Sequence, residues 1–550
     1  MAHIHDVLND HHDDSTSEAA SAIHCGKTSL GIEFGSTRIK AVLIDEQYRT
    51  LANGDFEWEN KLDNGLWTYS LEDVWKGARS AYAALAASVL SQYGERLKHI
   101  GTIGFSGMMH GYLAFDKEGN LLVPFRTWRN TNTSQAHKRL SELFQYNIPE
   151  RWSIAHLYQA ILNKEEHVSK VAYMTTLSGY VHWKLTGRKV LGIGDTSGMF
   201  PINPETKNFE SAMLDAFEKL PEVAQYDWNI KDVLPEPLVA GSEAGTLSAE
   251  GALLLDPTGN LEAGSPLAPP EGDAGTGMVA TNSVRVRTGN VSAGTSIFAM
   301  VVLEHKLAAL HSEIDVVTTP AGDLAGMSHA NNFTSDLNAW ARVFSQFAEL
   351  IGVTLKTDEL YAALFNAALT GDPDAGGLIN YCFYSGEFLA GLTEGRPVFA
   401  RGPESKMNFA NFMRAQLFSA FAPVTIGMNI LVKEEHVKVD SLIGHGGIFT
   451  TPKVAQKILA AAFNTPITVM STAAEGGAWG MAVLADYLKH TDKPLEQYLD
   501  DCVFADAQST TETPDPKDVQ GFEVFFDRFM ASLAIEKKAV ETIPLEEDGE

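Results

Sequence analysis

Two short turns in the sequence join a glycine to hydroxyl side chains, a combination that can bind phosphate. The first, Gly35-Ser36-Thr37, interrupts the apolar runs of "LGIEFGSTRIKAVLID" (residues 30–45). The second, Gly294-Thr295-Ser296, interrupts those of "SVRVRTGNVSAGTSIFAMVV" (residues 283–302). Backbone N–H and hydroxyl groups in such turns can donate hydrogen bonds to phosphate oxygens. One turn alone fits a plain hairpin, but two that each open one half of the chain favour duplicated phosphate-binding hairpins.

Charged residues flank the first turn. Glu33 precedes it and could hold a hydrated magnesium ion, which prefers a few carboxylates together with water and phosphate oxygens. Lys40 follows it and could reach a phosphate oxygen, or could simply be an exposed strand residue. An exposed strand position without function is the alternative for Glu33.

The elements around these turns alternate between strands and helices. "SLGIEF", "RIKAVLID" and "GDFEWEN" predict successive strands, and the apolar spacing after Ser70 predicts a helix that begins with a Ser70/Asp73 capping box. "HIGTIGFSG" predicts a buried strand that ends in a glycine turn. Late in the chain, "VDSLIGHGGIFTTPKVAQKILAAAF" predicts strand, glycine-rich turn and helix, where Gly446 and Gly447 allow a flat ligand to approach the backbone. This order favours an α/β class with mixed sheets.

Composition limits the partners and the compartment. The chain has 550 residues, a formal net charge of −28 and three cysteines without CxxC spacing. Such a negative charge disfavours nucleic-acid binding and electrostatic membrane docking. We see no signal peptide, and the most apolar stretch, residues 417–432, is short for a membrane span and contains Pro423, so we expect a buried helix or strand there. A cytoplasmic location is expected, with a disordered tail over residues 1–28. The sequence leaves the oligomeric state open, with a homodimer as one alternative.

Five segments in order resemble the FGGY carbohydrate kinase family of the actin–hexokinase superfamily, and its xylulokinases most closely. They are "GIEFGSTRIKAVLID", "GFSGMMHG", "EGDAGTGM", "SAGTS" and "IGHGGIFTTPKVAQKILA". The resemblance covers residues 29 to about 490. It implies a two-domain, actin-like (ribonuclease H-like) ATPase fold with ATP and sugar in a cleft between the domains. We expect an N-terminal domain over residues 29–281, with the sugar and catalytic residues, and a nucleotide-binding C-terminal domain over residues 282–550.

The resemblance also implies roles for individual residues. Asp273, in a glycine-bounded loop, matches the family's catalytic aspartate, and a carboxylate there can accept the proton of the sugar hydroxyl as the O–P bond forms. Asp195 and Asp323 are weaker rivals, and Asp323 sits in an expected turn. Magnesium would be held by Glu33 and Asp273. The implied sugar contacts are Met109, His110, Gly111, Trp128, Asn130 and Asp273. The implied ATP contacts are Gly35, Ser36, Thr37, Lys40, Gly294, Thr295, Gly446 and Gly447.

Two departures from the family pattern bear on metal and sugar. Glu33 stands where the family usually has aspartate, and Asn130 stands where xylulokinases commonly have aspartate. We expect ATP-dependent phosphorylation of a ketopentose, D-xylulose first, and keep ribulose, another ketose or a polyol as alternatives. A non-catalytic ATP-binding switch of the actin or chaperone type is a further alternative. A dinucleotide oxidoreductase is least favoured, because the opening turn lacks GxGxxG.

Overall fold

The computed structural model describes residues 16–471 and 476–544 and divides them into two compact units. The first unit takes the described residues within Met1–Val284, Val316–Leu324 and Glu475–Asp506. The second takes those within Arg285–Asp315, Ala325–Ala474 and Ala507–Glu550. The expected single boundary at residues 281/282 therefore lies close to the first change of unit. It misses the late return of the chain to the first unit.

A mixed five-stranded sheet forms the centre of the first unit. Its order is Glu271–Gly272, Thr102–Gly107, Thr28–Phe34, Arg38–Asp45 and Thr50–Glu57. The first three strands are parallel, and the last two continue as antiparallel hairpins. Leu30, Ile32 and Phe34 are fully buried together with the neighbouring Gly31, so the first strand is covered on both faces.

A glycine lets one helix approach this sheet closely. A Cβ added to Gly31 would lie 2.0 Å from the Ala478 carbonyl oxygen, in the helix Gly477–Tyr487. No real Cβ tolerates such a contact with backbone, so the position requires glycine. Gly54 plays the same part for the helix Leu71–Tyr93. The Ser70 hydroxyl accepts from the Asp73 N–H at 3.0 Å, which is one half of the predicted capping box, whereas the Asp73 carboxylate accepts from Lys61 Nζ at 2.9 Å.

Further elements of the first unit surround the sheet. Its other strands are Lys61–Asp63, Leu66–Thr68, Leu113–Phe115, Tyr173–Thr175, Val190–Gly192, Ile202–Asn203, Asn208–Phe209 and Glu236–Leu238. Its other helices are Ser134–Phe144, Ser153–Leu162, Leu177–Thr186, Ile193–Thr196, Ser211–Glu218, Ile230–Val233, Ala249–Leu255, Asp273–Ala280 and Leu495–Tyr498, with a 3₁₀ turn at Glu166–Lys170 and a π turn at Leu499–Val503.

Part of the expected disordered tail is ordered. Residues 16–24 form a helix whose Ala19 and Ile23 are buried in the core of the first unit, and the first strand begins at Thr28. The expectation is therefore wrong for residues 16–28, because two apolar side chains at helical spacing are enough to dock a short helix. Residues 1–15 lie outside the described residues.

The sheet of the second unit repeats this strand order and adds a strand at one edge. In the same direction as for the first sheet, and starting with the added strand, the order is Ser509–Glu512, Ile467–Met470, Ser441–His445, Thr288–Ala293, Ile297–Val302 and Leu324–Ala330. Thr288–Ala293 pairs antiparallel with the next strand in the chain and parallel with Ser441–His445. In the first unit, Thr28–Phe34 likewise pairs antiparallel with the next strand and parallel with Thr102–Gly107. The duplication that the two similar turns predicted is thus present in the pairing of the strands.

The remaining elements of the second unit are mostly helical. They are the helices Thr334–Leu350, Thr357–Ala368, Phe409–Asn429, Val454–Phe463, Pro516–Ala531 and Leu533–Thr542, the strands Leu378–Tyr381 and Val398–Arg401, the 3₁₀ turns Ala375–Gly377, Phe388–Ala390 and Gly447–Thr450, and the π turn Ile430–Glu434. A further strand, Asp315–Thr318, lies where the chain changes unit.

Within residues 16–471 and 476–544, one helix is long and apolar enough to span a membrane by length and composition. Phe409–Glu434 has a mean hydropathy of 1.5 over its most apolar window, but 83% of that window is buried inside the structure. Burial on this scale is typical of a core helix. Pro423 lies within it and is itself buried. The prediction of a buried element over residues 417–432 is confirmed.

Candidate active site

Both predicted turns are tight hairpins with accessible tips. In the first, the Gly35 N–H donates to the Arg38 carbonyl at 3.0 Å, and Thr37 is exposed. In the second, the Gly294 N–H donates to the Ser296 carbonyl at 2.9 Å, and both Gly294 and Thr295 are exposed. Their hydroxyl groups are therefore available to a ligand in each unit.

Glu33 lies at the N-terminus of a helix. The Ala478 N–H donates to its carboxylate, and a Cβ at Gly477 would lie 2.3 Å from Glu33 Oε1. Burial and then the negative charge of Asp273 raise the pKa of Glu33 to about 7, although Lys40, its partner across the hairpin, opposes the rise. Glu33 is thus a half-buried acid whose proton affinity is raised by the charge of Asp273. Lys40 is exposed to solvent on its strand.

Asp273 occupies the first position of a helix rather than a loop. It follows the strand Glu271–Gly272 and begins the helix Asp273–Ala280, so its carboxylate can accept from free backbone N–H groups. Asp273 Oδ1 accepts from the Ala274 N–H at 3.0 Å and from the Met109 N–H at 3.4 Å. Asp273 is exposed to water molecules, and desolvation by the surrounding protein raises the pKa of its carboxylate to about 6. The candidate base thus touches the Met109-His110-Gly111 turn.

His110 is held in an unusual backbone conformation. Its φ is 68°, in the left-handed region, and its Nδ1–H donates to the Gly198 carbonyl at 3.1 Å. The ring stacks on Trp152 with centroids 6.2 Å apart. Burial lowers the pKa of His110 to about 3, so the imidazole is neutral. Among the described residues nothing hydrogen-bonds its Nε2, which leaves that nitrogen as an acceptor for a ligand. Gly111, also at positive φ, leaves no room for a side chain beside Phe125.

Trp128 and Asn130 have different surroundings. Trp128 is 38% exposed and can present its ring to a ligand. Asn130 is 4% exposed, and its amide is committed to backbone: Oδ1 accepts from the Trp67 N–H at 2.9 Å, and Nδ2 donates to the carbonyls of Trp67 at 2.8 Å and Thr127 at 3.0 Å. Asn130 therefore ties the strand Leu66–Thr68 to its own loop, and its contact with the sugar stays a prediction.

The two rivals of Asp273 are occupied elsewhere. Asp195 is fully buried, and its Oδ2 accepts from the hydroxyls of Thr176 at 2.7 Å and Ser178 at 2.6 Å. Burial raises the pKa of Asp195 to about 7. Asp323 forms an ion pair with Lys207 at 3.0 Å. Asp195 is thus shut off from solvent and Asp323 is held by Lys207, whereas Asp273 begins a helix beside the Met109 turn.

A cavity of about 910 Å³ lies in the second unit beside the turn Gly294-Thr295-Ser296. Gly294, Thr295 and Gly447, three of the predicted ATP contacts, line it. Gly446 is not among the lining residues; a Cβ there would lie 2.0 Å from the Ala293 carbonyl oxygen, so it lets the turn pass close to the strand. The rest of the lining comes from residues that the sequence did not single out, namely Ala293, Thr334, Leu337, Asn338, Thr357, Asp358, Tyr361, Ala362, Phe365, Ile448, Thr450, Thr451 and Pro452.

Two protein-family models match most of this chain. The N-terminal domain of the FGGY family of carbohydrate kinases matches residues 28–254, and the C-terminal domain matches residues 289–488. The chain belongs to the FGGY family of carbohydrate kinases. FGGY kinases use ATP as the phosphate donor and act on sugars.

Curated relatives of this FGGY kinase include several named xylulose kinase. One from Lactococcus lactis subsp. lactis (strain IL1403) is 22% identical over 507 residues, which cover 90% of this chain and 94% of the relative. One from Klebsiella pneumoniae is 23% identical over 250 residues, covering 41% of this chain and 49% of the relative.

Solved structures of FGGY kinases share the fold. A xylulose kinase from Lactobacillus acidophilus has a TM-score of 0.74 at 17% identity, covering 92% of this chain and 97% of that chain. A gluconate kinase from the same species also has a TM-score of 0.74, at 16% identity and with 92% and 98% coverage. A glycerol kinase from Plasmodium falciparum, solved with ADP, scores 0.66 at 15% identity, with 94% and 99% coverage. The two-domain sugar kinase fold is therefore confirmed.

Proposed function

We propose that this FGGY kinase transfers the γ-phosphate of ATP to a ketopentose, with D-xylulose as the first candidate, and that Asp273 is the general base. The contact of Asp273 Oδ1 with the Met109 N–H carries the proposal. It links the acid best placed to accept a proton to the turn that resembles the ketose-contacting turn of xylulokinases. The relatives named xylulose kinase support the choice of sugar.

Asp273 is suited to accept a proton near neutral pH. A pKa of about 6 leaves the carboxylate ionised at pH 7 while making it more basic than an ordinary aspartate. In the proposed reaction it takes the proton of the terminal hydroxyl as that oxygen attacks phosphorus in line. The neutral His110 accepts a hydrogen bond from a second hydroxyl through Nε2, and Trp128 offers an apolar face to the sugar chain.

Glu33 and Asp273 fit a magnesium ion as a pair. Each is a desolvated carboxylate, and the charge of Asp273 raises the pKa of Glu33, as expected for two acids that share a neighbourhood. Among the described residues no cluster of three or more His, Cys, Asp or Glu could hold a metal. A pair of carboxylates is nevertheless what Mg²⁺ uses when phosphate and water complete its shell. The ion would offset negative charge on the phosphates.

The nucleotide is proposed to bind in the 910 Å³ cavity of the second unit. Its apolar walls, Leu337, Phe365 and Ile448, suit a base, and the turn at Gly294 and Thr295 opens into the same space and suits phosphate. In the first unit, Gly35, Ser36, Thr37 and Lys40 are proposed to contact the transferred phosphate. The cleft expected between the domains stays a prediction.

The substitution Asp273→Asn tests the base. We expect ketose-dependent ADP release to fall by about 10²–10⁴-fold, the usual range for a general base, while ATP still binds by calorimetry. Asp323→Asn, which removes an aspartate paired with Lys207, is the matched control and should keep its turnover. Near-normal turnover in Asp273→Asn would overturn the assignment.

The choice of sugar needs a separate measurement. A panel of D-xylulose, ribulose, other ketoses and polyols, assayed for ADP release, should give the highest kcat/KM with D-xylulose. A higher value with another substrate would transfer the proposal to that sugar and leave the chemistry unchanged. A cytoplasmic location and a homodimeric state remain predictions, and light scattering after size exclusion tests the latter.

A further inference from the structure

A buried glutamate stands two residues before the candidate base and outside every role assigned above. Glu271 is 1% exposed. It is the first residue of the strand Glu271–Gly272, which pairs parallel with the end of Thr102–Gly107. Its Oε1 accepts from the Gly194 N–H at 3.1 Å, and its Oε2 accepts from the N–H groups of Asp195 at 3.0 Å and Gly272 at 3.2 Å. Both oxygens are therefore committed to holding backbone.

Two glycines in the segment that Glu271 binds, residues 192–198, leave room for its carboxylate. A Cβ at Gly192 would lie 2.4 Å from Glu271 Oε1, and one at Gly194 would lie 2.4 Å from Oε2. Both positions thus need glycine for the carboxylate to dock. The Gly192 N–H also donates to the Pro270 carbonyl at 2.7 Å, which fixes the start of the segment against the chain leading to Asp273.

The other end of the same segment holds the sugar-contacting turn. The Gly198 carbonyl accepts from His110 Nδ1–H at 3.1 Å, and a Cβ at Gly198 would lie 2.5 Å from that nitrogen. Residues 192–198 are a short helix and turn, stiffened by the Thr196 hydroxyl, which donates to the Gly192 carbonyl at 2.7 Å. A displacement of its start is therefore passed to its end.

We propose that Glu271 is a positioning residue that keeps the base Asp273 and the sugar ligand His110 at a fixed distance from each other. This inference rests on the proposed function. Glu271 touches neither the sugar nor phosphate. It acts by binding residues 192–198 to the strand that delivers Asp273, so that one hydroxyl of a sugar held by His110 meets the base. Misplacement by about 1 Å costs such a reaction about 10²-fold.

The substitution Glu271→Gln tests this linkage with little change in volume. It replaces one accepting oxygen with an amide group that cannot accept from a backbone N–H. We expect kcat with D-xylulose to fall about 10- to 100-fold and the KM for sugar to rise, while the KM for ATP stays within twofold of wild type.

Glu387→Gln is the matched control in the second unit. Glu387 is also fully buried, and its Oε2 accepts from the consecutive N–H groups of Asn331 at 3.0 Å and Asn332 at 3.2 Å. Its Oε1 has no partner among the described residues, so glutamine can keep the hydrogen bonds of Oε2, and this variant removes only a buried carboxylate while kcat stays unchanged. A fall in melting temperature in Glu271→Gln with kcat and the KM for sugar both unchanged would show a merely structural role and would overturn the proposal.

Hydrogen exchange on the whole protein tests the linkage without any activity. Glu271→Gln should exchange faster both at residues 192–198 and at 108–111, whereas Glu387→Gln should leave both unchanged. Faster exchange at 192–198 alone would overturn the proposal. If Glu271→Gln does not fold, Gly194→Ala disturbs the same contact from the other side and must give the same pattern. If the wild type phosphorylates no pentulose, the proposed function fails, and the exchange pattern still decides whether the linkage exists.

Discussion

Substitution of Glu33 by glutamine should stabilise the metal-free protein while it removes activity. Glu33 has a pKa of about 7 against an ordinary value of 4.5, so the folded protein holds the proton more tightly than the unfolded chain does. As pH rises from 4.5 to 7 the unfolded chain ionises first, and stability is lost. Glutamine carries no charge and can still accept from the Ala478 N–H, so it escapes this loss.

The size of the effect follows from these two pKa values. At 1.36 kcal/mol for each tenfold change in proton affinity, Glu33→Gln should raise the free energy of unfolding by about 3 kcal/mol at pH 8 and by about 1 kcal/mol at pH 5.5. Burial is the larger cause and the charge of Asp273 the smaller. A variant Asp273→Asn should therefore recover only a minor part of the gain.

Urea unfolding in EDTA at both pH values measures this difference. Glu59→Gln, at an exposed glutamate beyond the strand Thr50–Glu57, is the matched control and should be neutral at both. With magnesium and ATP, Glu33→Gln should lose phosphotransfer, whereas Glu33→Asp should keep it. A Glu33→Gln protein that is no more stable than wild type at pH 8 would refute the argument that burial destabilises this charge.

Three further substitutions test the packing of the first unit. His156→Phe should raise the free energy of unfolding by about 1–3 kcal/mol, because both ring nitrogens are buried without a partner among the described residues and phenylalanine keeps the stacking on Tyr112. Burial lowers the pKa of His156 to about 3, so wild type should also lose stability as pH falls below 6.5, and the variant should lose less; urea unfolding at pH 5 and 7 checks both. Gly31→Ala should push a helix away from the sheet, which lowers the free energy of unfolding by about 1–3 kcal/mol or more and lowers the melting temperature. Gly277→Ala has open space around it and should change neither. Asn130→Asp should lower the melting temperature, since its two donated hydrogen bonds are lost, and an unchanged melting temperature with an altered KM for sugar would favour the sugar contact instead.

Features encoded by neighbouring residues were predictable from the sequence. The hairpins around Gly35 and Gly294, and the N-cap at Ser70, each depend on a few consecutive residues whose turn and capping preferences are strong. The repetition of the hairpin was also visible and is confirmed by the strand order of the two sheets.

Features that depend on distant partners were not predictable. The hydrogen bonds that Asn130 makes with the backbone of Trp67 join residues 63 positions apart, so no local pattern indicates them. Glu271 carried no local signal, since its partners at Gly194 and Asp195 lie more than 70 residues away. Asp273 was expected in a loop, because glycines on both sides concealed the start of a helix.

The contact of Gly31 with Ala478 has a consequence for how the protein folds during its synthesis. The strand that opens the first unit is covered by a helix that the ribosome makes about 450 residues later. At ~5–20 residues per second this delay is about 20 to 90 s. During that time the strand lacks its covering helix, and exposed apolar surface of this kind makes an incomplete chain prone to aggregate. We therefore expect a chain truncated before Gly476 to aggregate rather than to fold as an isolated first unit.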